Sequence, residues 1–170
     1  MIEAVLIGIS SSIFASAITI LIMSNLRPRI EIISSIAKDT ALDQRPYYAI
    51  KVLNKGRRDV VHVKAELMLM NEREVGGKNI HITQEIGLTK PDILTIRRYQ
   101  KGGKSFSYRF STYEDLDEKW PDDSTSYLRF RIYAVDSLSG FGKVFTQRFK
   151  GKKRSILSGR FAGADSGEIY

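Results

Sequence analysis

The sequence has no cysteine, only two histidines and a single tryptophan among its 170 residues. Without cysteine there is no disulfide framework, which is compatible with a reducing compartment. Two isolated histidines, His62 and His81, form a weak basis for a zinc site or a catalytic triad. The composition therefore predicts a protein that is not an enzyme and that holds no cofactor and no metal.

Three short segments resemble parts of known functional sites, but each lacks other residues that such a site requires. "KGGKS" at 101–105 has Arg98 where a phosphate-binding loop needs a glycine, and no helix is predicted to follow it. "ADSGE" at 164–168 contains a serine but belongs to a Gly-rich end without a histidine base. The acids Glu118, Asp122 and Asp123 are typical of a solvated helix and turn. None of the three segments predicts catalysis.

A long uncharged run, "AVLIGISSSIFASAITILIM", extends from Ala4 to Met23. Twenty helical residues rise about 30 Å, which matches the hydrocarbon thickness of a bilayer. A cleavable signal peptide is the competing interpretation, because "ASA" at 15–17 resembles a cleavage site. The missing basic start and the apolar residues beyond Ala17 favour an uncleaved helix. We therefore predict a single transmembrane helix over residues 1–25.

The charges beside this run predict its orientation. Only Glu3 precedes the run, whereas Arg27 and Arg29 follow it, with Pro28 ending the helix. Positive charge stays on the cytoplasmic side of a membrane. The sequence thus predicts a single-pass protein of the inner membrane whose C-terminal domain is cytoplasmic.

Small residues recur every fourth position along the predicted helix, at Ala4, Gly8, Ser12 and Ser16. Small side chains at this spacing let two helices approach closely. They also occur in membrane helices that do not associate. This helix-association face makes a homo-oligomer one possible state of the protein.

The remainder of the chain alternates with period two. In "YLRFRIYAV", the side chains of Leu128, Phe130, Ile132 and Ala134 share one face. "YYAIKVLN" alternates likewise, and in "VVHVKAELMLM" Val61 and Val63 begin a second apolar face. Turn signals such as "NKGRRD" and "DSLSGFG" separate the strands, and "STYEDLDEKW" predicts one short helix capped by Ser111 or Thr112. The fold class is therefore mainly β, an antiparallel immunoglobulin-like β-sandwich over residues 26–150.

The order of these segments resembles a known family. "IKVLNKG", "VVHVKAELMLM" and "YLRFRIYAVDSLSGFGKVFTQRF" follow a membrane helix, as in the cytoplasmic immunoglobulin-like domain of inward-rectifier potassium channels. The resemblance covers roughly residues 27 to 149 and implies the same kind of fold. The chain has no second membrane helix, pore helix or selectivity filter, so the resemblance implies neither conduction nor any functional residue.

Cations dominate the end of the sequence, and the net charge of the whole chain is +8. Residues 151–170 form a basic, Gly-rich C-terminal tail in which Ile156, Leu157 and Phe161 are predicted to dock into a groove or onto the domain. The alternative is a disordered tail. Attraction to anionic headgroups is worth about 1 kcal/mol per basic residue near the surface. The predicted contacts for anionic lipid or an acidic partner are Arg27, Arg29, Lys150, Lys152, Lys153 and Arg154. Nucleic acid is an unlikely partner, because strand alternation already accounts for the aromatic residues of "RRYQKGGKSFSYR".

These features predict a small single-pass, membrane-anchored binding or adaptor protein that presents a cytoplasmic β-sandwich, with the membrane and another protein as its partners. The alternative is an oligomeric membrane effector. In that case the helices assemble into a pore or disrupt the bilayer when the β-domain senses a ligand or partner.

Overall fold

The fold is seen in a computed structural model that describes residues 2–41, 44–75, 78–100, 106–123, 125–163 and 166–170. Helix α1 (Ile2–Asn25) precedes the strands β1 (Ile30–Thr40), β2 (Pro46–Asn54), β3 (Val60–Val75), β4 (Lys78–Ile86), β5 (Asp92–Ile96) and β6 (Ser107–Thr112). Helix α2 (Leu116–Lys119), strands β7 (Ser126–Asp136) and β8 (Gly142–Lys150), helix α3 (Lys152–Ser155) and strand β9 (Ile156–Ser158) follow.

The strands form two sheets, which confirms the mainly β prediction. Sheet A has the order β6-β2-β1-β9, and sheet B has the order β4-β3-β7-β8, with β5 paired to β3. The pairs are antiparallel except for β9, which runs parallel to β1. The core lies between the sheets, and the rings of Phe110 on β6 and Phe130 on β7 meet there at 5.6 Å.

The alternation predicted for β7 is confirmed, whereas that of β3 breaks at one residue. Val60, not Val61, is buried in the core, and Val63 is buried as well. His62 lies between them with a φ of 50°, where the β3–β7 register shifts. Such a bulge adds a residue to one strand and turns the following side chains to the other face.

The short helix α2 is also confirmed, but the predicted caps at Ser111 and Thr112 are wrong. Asp115 is the N-cap, and its carboxylate accepts hydrogen bonds from the backbone N–H groups of Asp117 and Glu118. The helix therefore begins one turn later than the sequence pattern indicates, at the residue whose side chain can reach its first free donors.

The prediction of a transmembrane helix over residues 1–25 is wrong. Among the residues that the structure describes, no helix has the length and hydropathy needed to cross a bilayer. The predicted single-pass location in the inner membrane depends on that span and is corrected with it.

Strand β2 differs from the half-buried strand that its sequence predicts. Every residue from Tyr48 to Asn54 is buried, including the side chain of Lys51. Tyr48, Ile50 and Val52 face the core between the sheets. The alternate residues face outward, and their burial shows that another segment covers this side of sheet A.

Candidate functional site

The covering segment is a hairpin formed by residues 159–170, described except at 164 and 165. Arg160 and Tyr170 exchange two backbone hydrogen bonds of 3.0 Å, and the N–H of Ala162 donates to the carbonyl of Glu168 at 2.8 Å. Gly159 is the first residue of the hairpin and has a φ of 120°. A Cβ there would lie 2.2 Å from the Tyr170 carbonyl oxygen. This segment, called the C-terminal hairpin below, requires glycine at that position.

Phe161 fixes the hairpin on sheet A. Its ring is 3% exposed and packs against Ala37 of β1 and Ala49 of β2, whose small side chains leave room for the ring. The predicted docking of Phe161 is confirmed, and Ile156 is partly buried against the core. Leu157 is 42% exposed, so the same prediction is wrong for that residue.

A buried lysine provides the second attachment of the hairpin. The Lys51 ammonium donates hydrogen bonds to the carbonyl oxygens of Ala162 at 3.2 Å and Ser166 at 2.5 Å, and also to that of Gly163. It lies 5.6 Å from the centroid of the Phe161 ring. A buried charge is costly unless polar groups surround it. These carbonyls surround the Lys51 ammonium. The hairpin therefore shields the charge from water and also provides its hydrogen-bond acceptors.

A cavity of about 530 Å³ opens between the hairpin and strands β1, β2 and β6. Alanines and Phe161 give it an apolar floor. Tyr47 and Tyr113 line one side, with ring centroids 5.6 Å apart. Arg109 lies in the wall and donates to the Phe161 carbonyl at 3.0 Å. We call this cavity the groove; its volume lies in the range of small-molecule and side-chain binding sites.

The polar groups of the groove suit binding better than proton transfer. The pKa of Asp39 lies below its usual value because the backbone N–H of Thr40 and the side chain of Arg160 both donate hydrogen bonds to it. A carboxylate with a lowered pKa is a weak base at neutral pH. Tyr47, Tyr113 and Arg109 instead offer aromatic faces and a planar cation. Sequence reasoning missed all three residues; the only local signal was the apolar Phe161 within a polar segment.

The predicted C-terminal cations lie beside the acidic run, and Lys150, Lys153 and Arg154 among them are exposed. Lys153 forms an ion pair with Asp122 at 2.8 Å. Lys152 lies 3.7 Å from Asp117 Oδ1 and also donates a hydrogen bond to the Asp117 carbonyl. Lys150 and Arg154 line a cavity of about 430 Å³ that also contains Asp122 and Asp123. Acidic side chains therefore offset much of the positive charge that the sequence concentrates here.

Arg27 and Arg29 lie elsewhere. They line a cavity of about 400 Å³ between the end of α1 and the β2–β3 turn, which shares no residue with the cavity of Lys150 and Arg154. The structure thus separates the predicted contact residues into two groups, and their role in binding anionic lipid or an acidic partner stays a prediction.

The predicted helix-association face lies on α1, although the side chain of Ala4 is outside the described part of the chain. Ser12 and Ser16 are exposed, and the Ser16 hydroxyl donates to the Ser12 carbonyl at 2.8 Å. A Cβ added at Gly8 would meet no described atom within 4 Å. Large neighbours such as Ile7 and Phe14 are about 70% exposed. Self-association through this face stays a prediction.

Helix α2 is attached to sheet A by a charged network around Asp117. The Tyr48 hydroxyl donates to Asp115 at 2.9 Å and to Asp117 at 3.0 Å, and Lys38 donates to Asp117 at 2.5 Å. Burial and these two carboxylates raise the pKa of Tyr48. The hydrogen bond from Lys38 is the main cause that lowers the pKa of Asp117, and Tyr48 and Lys152 act in the same direction.

This network predicts a loss of stability in acid. Because the pKa of Asp117 is lower in the folded state, its contribution is complete above the unfolded value of 3.8 and is lost as the pH falls through the folded value. Asp117→Asn should lower the free energy of unfolding by about 1 kcal/mol at pH 7 and make its decline below pH 4 shallower. Urea unfolding at pH 7, 5 and 3 measures this. Asp92→Asn, at an exposed position, is the control; an equal decline for both variants and the wild type contradicts the prediction.

Comparisons with known proteins add little to this geometry. No family model and no curated protein matches the sequence. Among solved structures, the sporulation control protein Spo0M of Bacillus subtilis is similar at 13% identity and a TM-score of 0.42, over 72% of this chain and 48% of that one. The putative ApaA protein of Bordetella pertussis is similar at 10% identity and a TM-score of 0.39, over 72% and 92%. The chain spans about half the length of the Spo0M structure, and neither likeness carries a functional conclusion.

Proposed function

We propose that the protein is a binding or adaptor protein without catalytic activity and that the groove is its recognition site. The observation that supports this is the combination of two tyrosine rings, a small apolar floor and the Arg109 guanidinium around one cavity. Aromatic side chains bind other rings by stacking or edge contacts, and a guanidinium binds carboxylates through paired hydrogen bonds. The fitting occupant is a partner segment that presents an aromatic ring beside a carboxylate.

The residues that line the groove favour one kind of ligand, an aromatic ring that carries a negative charge. Tyr113 is 44% exposed and Tyr47 is partly buried, so a ring can enter from solvent and contact both. Arg109 already uses one NH₂ group on the Phe161 carbonyl, which fixes the guanidinium at the wall. Its remaining donors are available to an anionic group on the ligand. The groove therefore favours an aromatic acid over the neutral aromatic compound of the same shape.

A pair of matched probes tests this proposal. N-acetyltryptophan carries a ring and a carboxylate, and N-acetyltryptophan amide carries the ring alone. The full-length protein should bind the acid about tenfold more tightly than the amide, since a charge-assisted hydrogen bond is about twice as strong as a neutral one. Arg109→Gln should abolish that preference, and Tyr113→Ala should weaken both probes about fivefold through lost ring contact. Isothermal titration calorimetry measures these affinities.

Tyr133 provides the control, because it is a 40% exposed tyrosine on sheet B, away from the groove residues. Tyr133→Ala should leave both affinities unchanged. Equal binding of acid and amide by the wild-type protein, or equal weakening by Tyr133→Ala and Tyr113→Ala, contradicts the groove as a recognition site.

A further inference from the structure

Five arginines gather at the end of the sandwich where α1 joins it. Arg27 and Arg29 lie between α1 and β1, Arg57 lies in the β2–β3 turn, and Arg97 and Arg98 follow β5. All five side chains are exposed. We call this set the arginine face. Three separate segments of the chain contribute to it, so its formation depends on the fold and not on one basic stretch of sequence.

The buried side chain of Asn54 holds two of these segments together. Its amide donates to the carbonyls of Arg58 at 2.9 Å and Arg97 at 3.1 Å, and its oxygen accepts the N–H of Gly56 at 2.9 Å. The third segment is attached by the N–H of Lys55, which donates to the Arg29 carbonyl at 2.8 Å. The backbone beneath the arginines is therefore fixed before any ligand binds, which lowers the entropic cost of binding.

The face is concave. Arg27, Arg29 and Arg57 line a cavity of about 400 Å³, and Arg97 and Arg98 line another of about 420 Å³. Arg58 lines both cavities. Its guanidinium is fixed by 3.0 Å hydrogen bonds to the carboxylate of Asp136 and to the carbonyl of Asn25. Two adjoining basic clefts thus share one immobile wall.

The arginines that line the two clefts outnumber the acids that line them, Asp59 and Asp136. Within the described part of the chain, none of the five arginines forms an ion pair. Asp136 pairs with Arg58, and Glu31 pairs with Lys55 at 3.3 Å. The carboxylate of Asp59 lines the cleft of Arg97 and Arg98 and accepts the backbone N–H of Arg98 at 2.7 Å, so it offsets part of the charge there. By contrast, Lys152 and Lys153 lie beside acidic residues that offset their charges.

We propose that the arginine face binds a soluble ligand that carries two or more phosphate groups. Guanidinium groups match phosphate oxygens with paired hydrogen bonds, and clustered arginines attract multiply charged anions. The two clefts favour a compact ligand that places one phosphate in each over a flat anionic surface. This site uses none of the residues that line the groove, so the two proposals stand or fall separately.

Inorganic tripolyphosphate is the probe, titrated into the full-length protein by calorimetry at low and high salt. Arg57→Gln, Arg97→Gln and Arg98→Gln together should weaken its binding about tenfold, and added salt should weaken the wild-type binding. The control combines Lys150→Gln, Lys153→Gln and Arg154→Gln, which removes the same charge from the other basic group. Its affinity should equal that of the wild type. Far-UV circular dichroism verifies that both triple variants keep the β-rich fold.

Three results would overturn the proposal. Equal weakening by the two triple variants would mean that net charge alone attracts the anion. Orthophosphate binding as tightly as tripolyphosphate would remove the need for two phosphate groups. Failure of tripolyphosphate to bind the wild-type protein would contradict the proposal directly. If the protein then binds phosphatidylglycerol vesicles, the face is assigned to a lipid surface.

Discussion

Replacing Lys51 by methionine should lower the free energy of unfolding by about 3 kcal/mol and release the C-terminal hairpin from sheet A. Methionine retains most of the buried aliphatic chain but has no donor. The carbonyls of Ala162, Gly163 and Ser166 then lose the ammonium that they now share. Because the unpaired carbonyls can regain hydrogen bonds from water only by leaving the sheet, the hairpin should open.

Two measurements distinguish release of the hairpin from a general loss of stability. Urea unfolding gives the change in free energy, and amide hydrogen exchange should become faster at Ala162 and Tyr170, whose N–H groups bond within the hairpin. Lys64→Met is the control, since Lys64 is an exposed lysine on β3 and should change stability by less than about 0.5 kcal/mol. Unchanged protection of the hairpin amides in Lys51→Met would show that Lys51 does not hold it.

Phe130→Ala should lower the free energy of unfolding by about 4 kcal/mol, because it removes a large ring from a packed core and leaves a cavity. Phe130 is completely buried in the middle of β7, and its ring meets Phe110 of the opposite sheet. Collapse around the missing ring is limited by the paired strands on both sides of β7, β3 and β8.

Denaturant unfolding of Phe130→Ala measures this cost, with Tyr133→Ala on the solvent side of the same strand as its control. Tyr133 is 40% exposed, so its truncation should cost much less than that of Phe130. Similar costs for the two variants would contradict the assignment of Phe130 to the centre of the core.

The sequence predicts the local part of this fold well. Leu128, Phe130, Ile132 and Ala134 share the buried face of β7 because period-two alternation is a property of the strand itself. The turn after β7 was also predicted from its residues: Asp136 accepts hydrogen bonds from the N–H groups of Leu138 and Ser139. Both features depend on neighbours within a few positions, which a sequence displays directly.

The groove could not be predicted, because it depends on contacts between distant segments. In the sequence, nothing distinguishes Arg109 in its strand, Tyr113 in its turn or Phe161 near the C-terminus. Only the docking of the hairpin on sheet A brings them together. The parallel pairing of β9 with β1 leaves no local pattern either, since it joins Ile36 to Ile156. Similarly, the basic run near Lys153 looked free in the sequence because its partner Asp122 lies in another segment.

The hairpin also has a consequence for the order of folding. Lys51 and the Ser166 carbonyl that it binds are 115 residues apart in the chain. Contacts between such distant residues are slow to form, because the loop between them must be closed first. The antiparallel pairs of sheet A join much nearer segments, such as β1 and β2. We therefore expect the pairing of β1 with β2 to precede the closing of the hairpin over Lys51, which completes the groove.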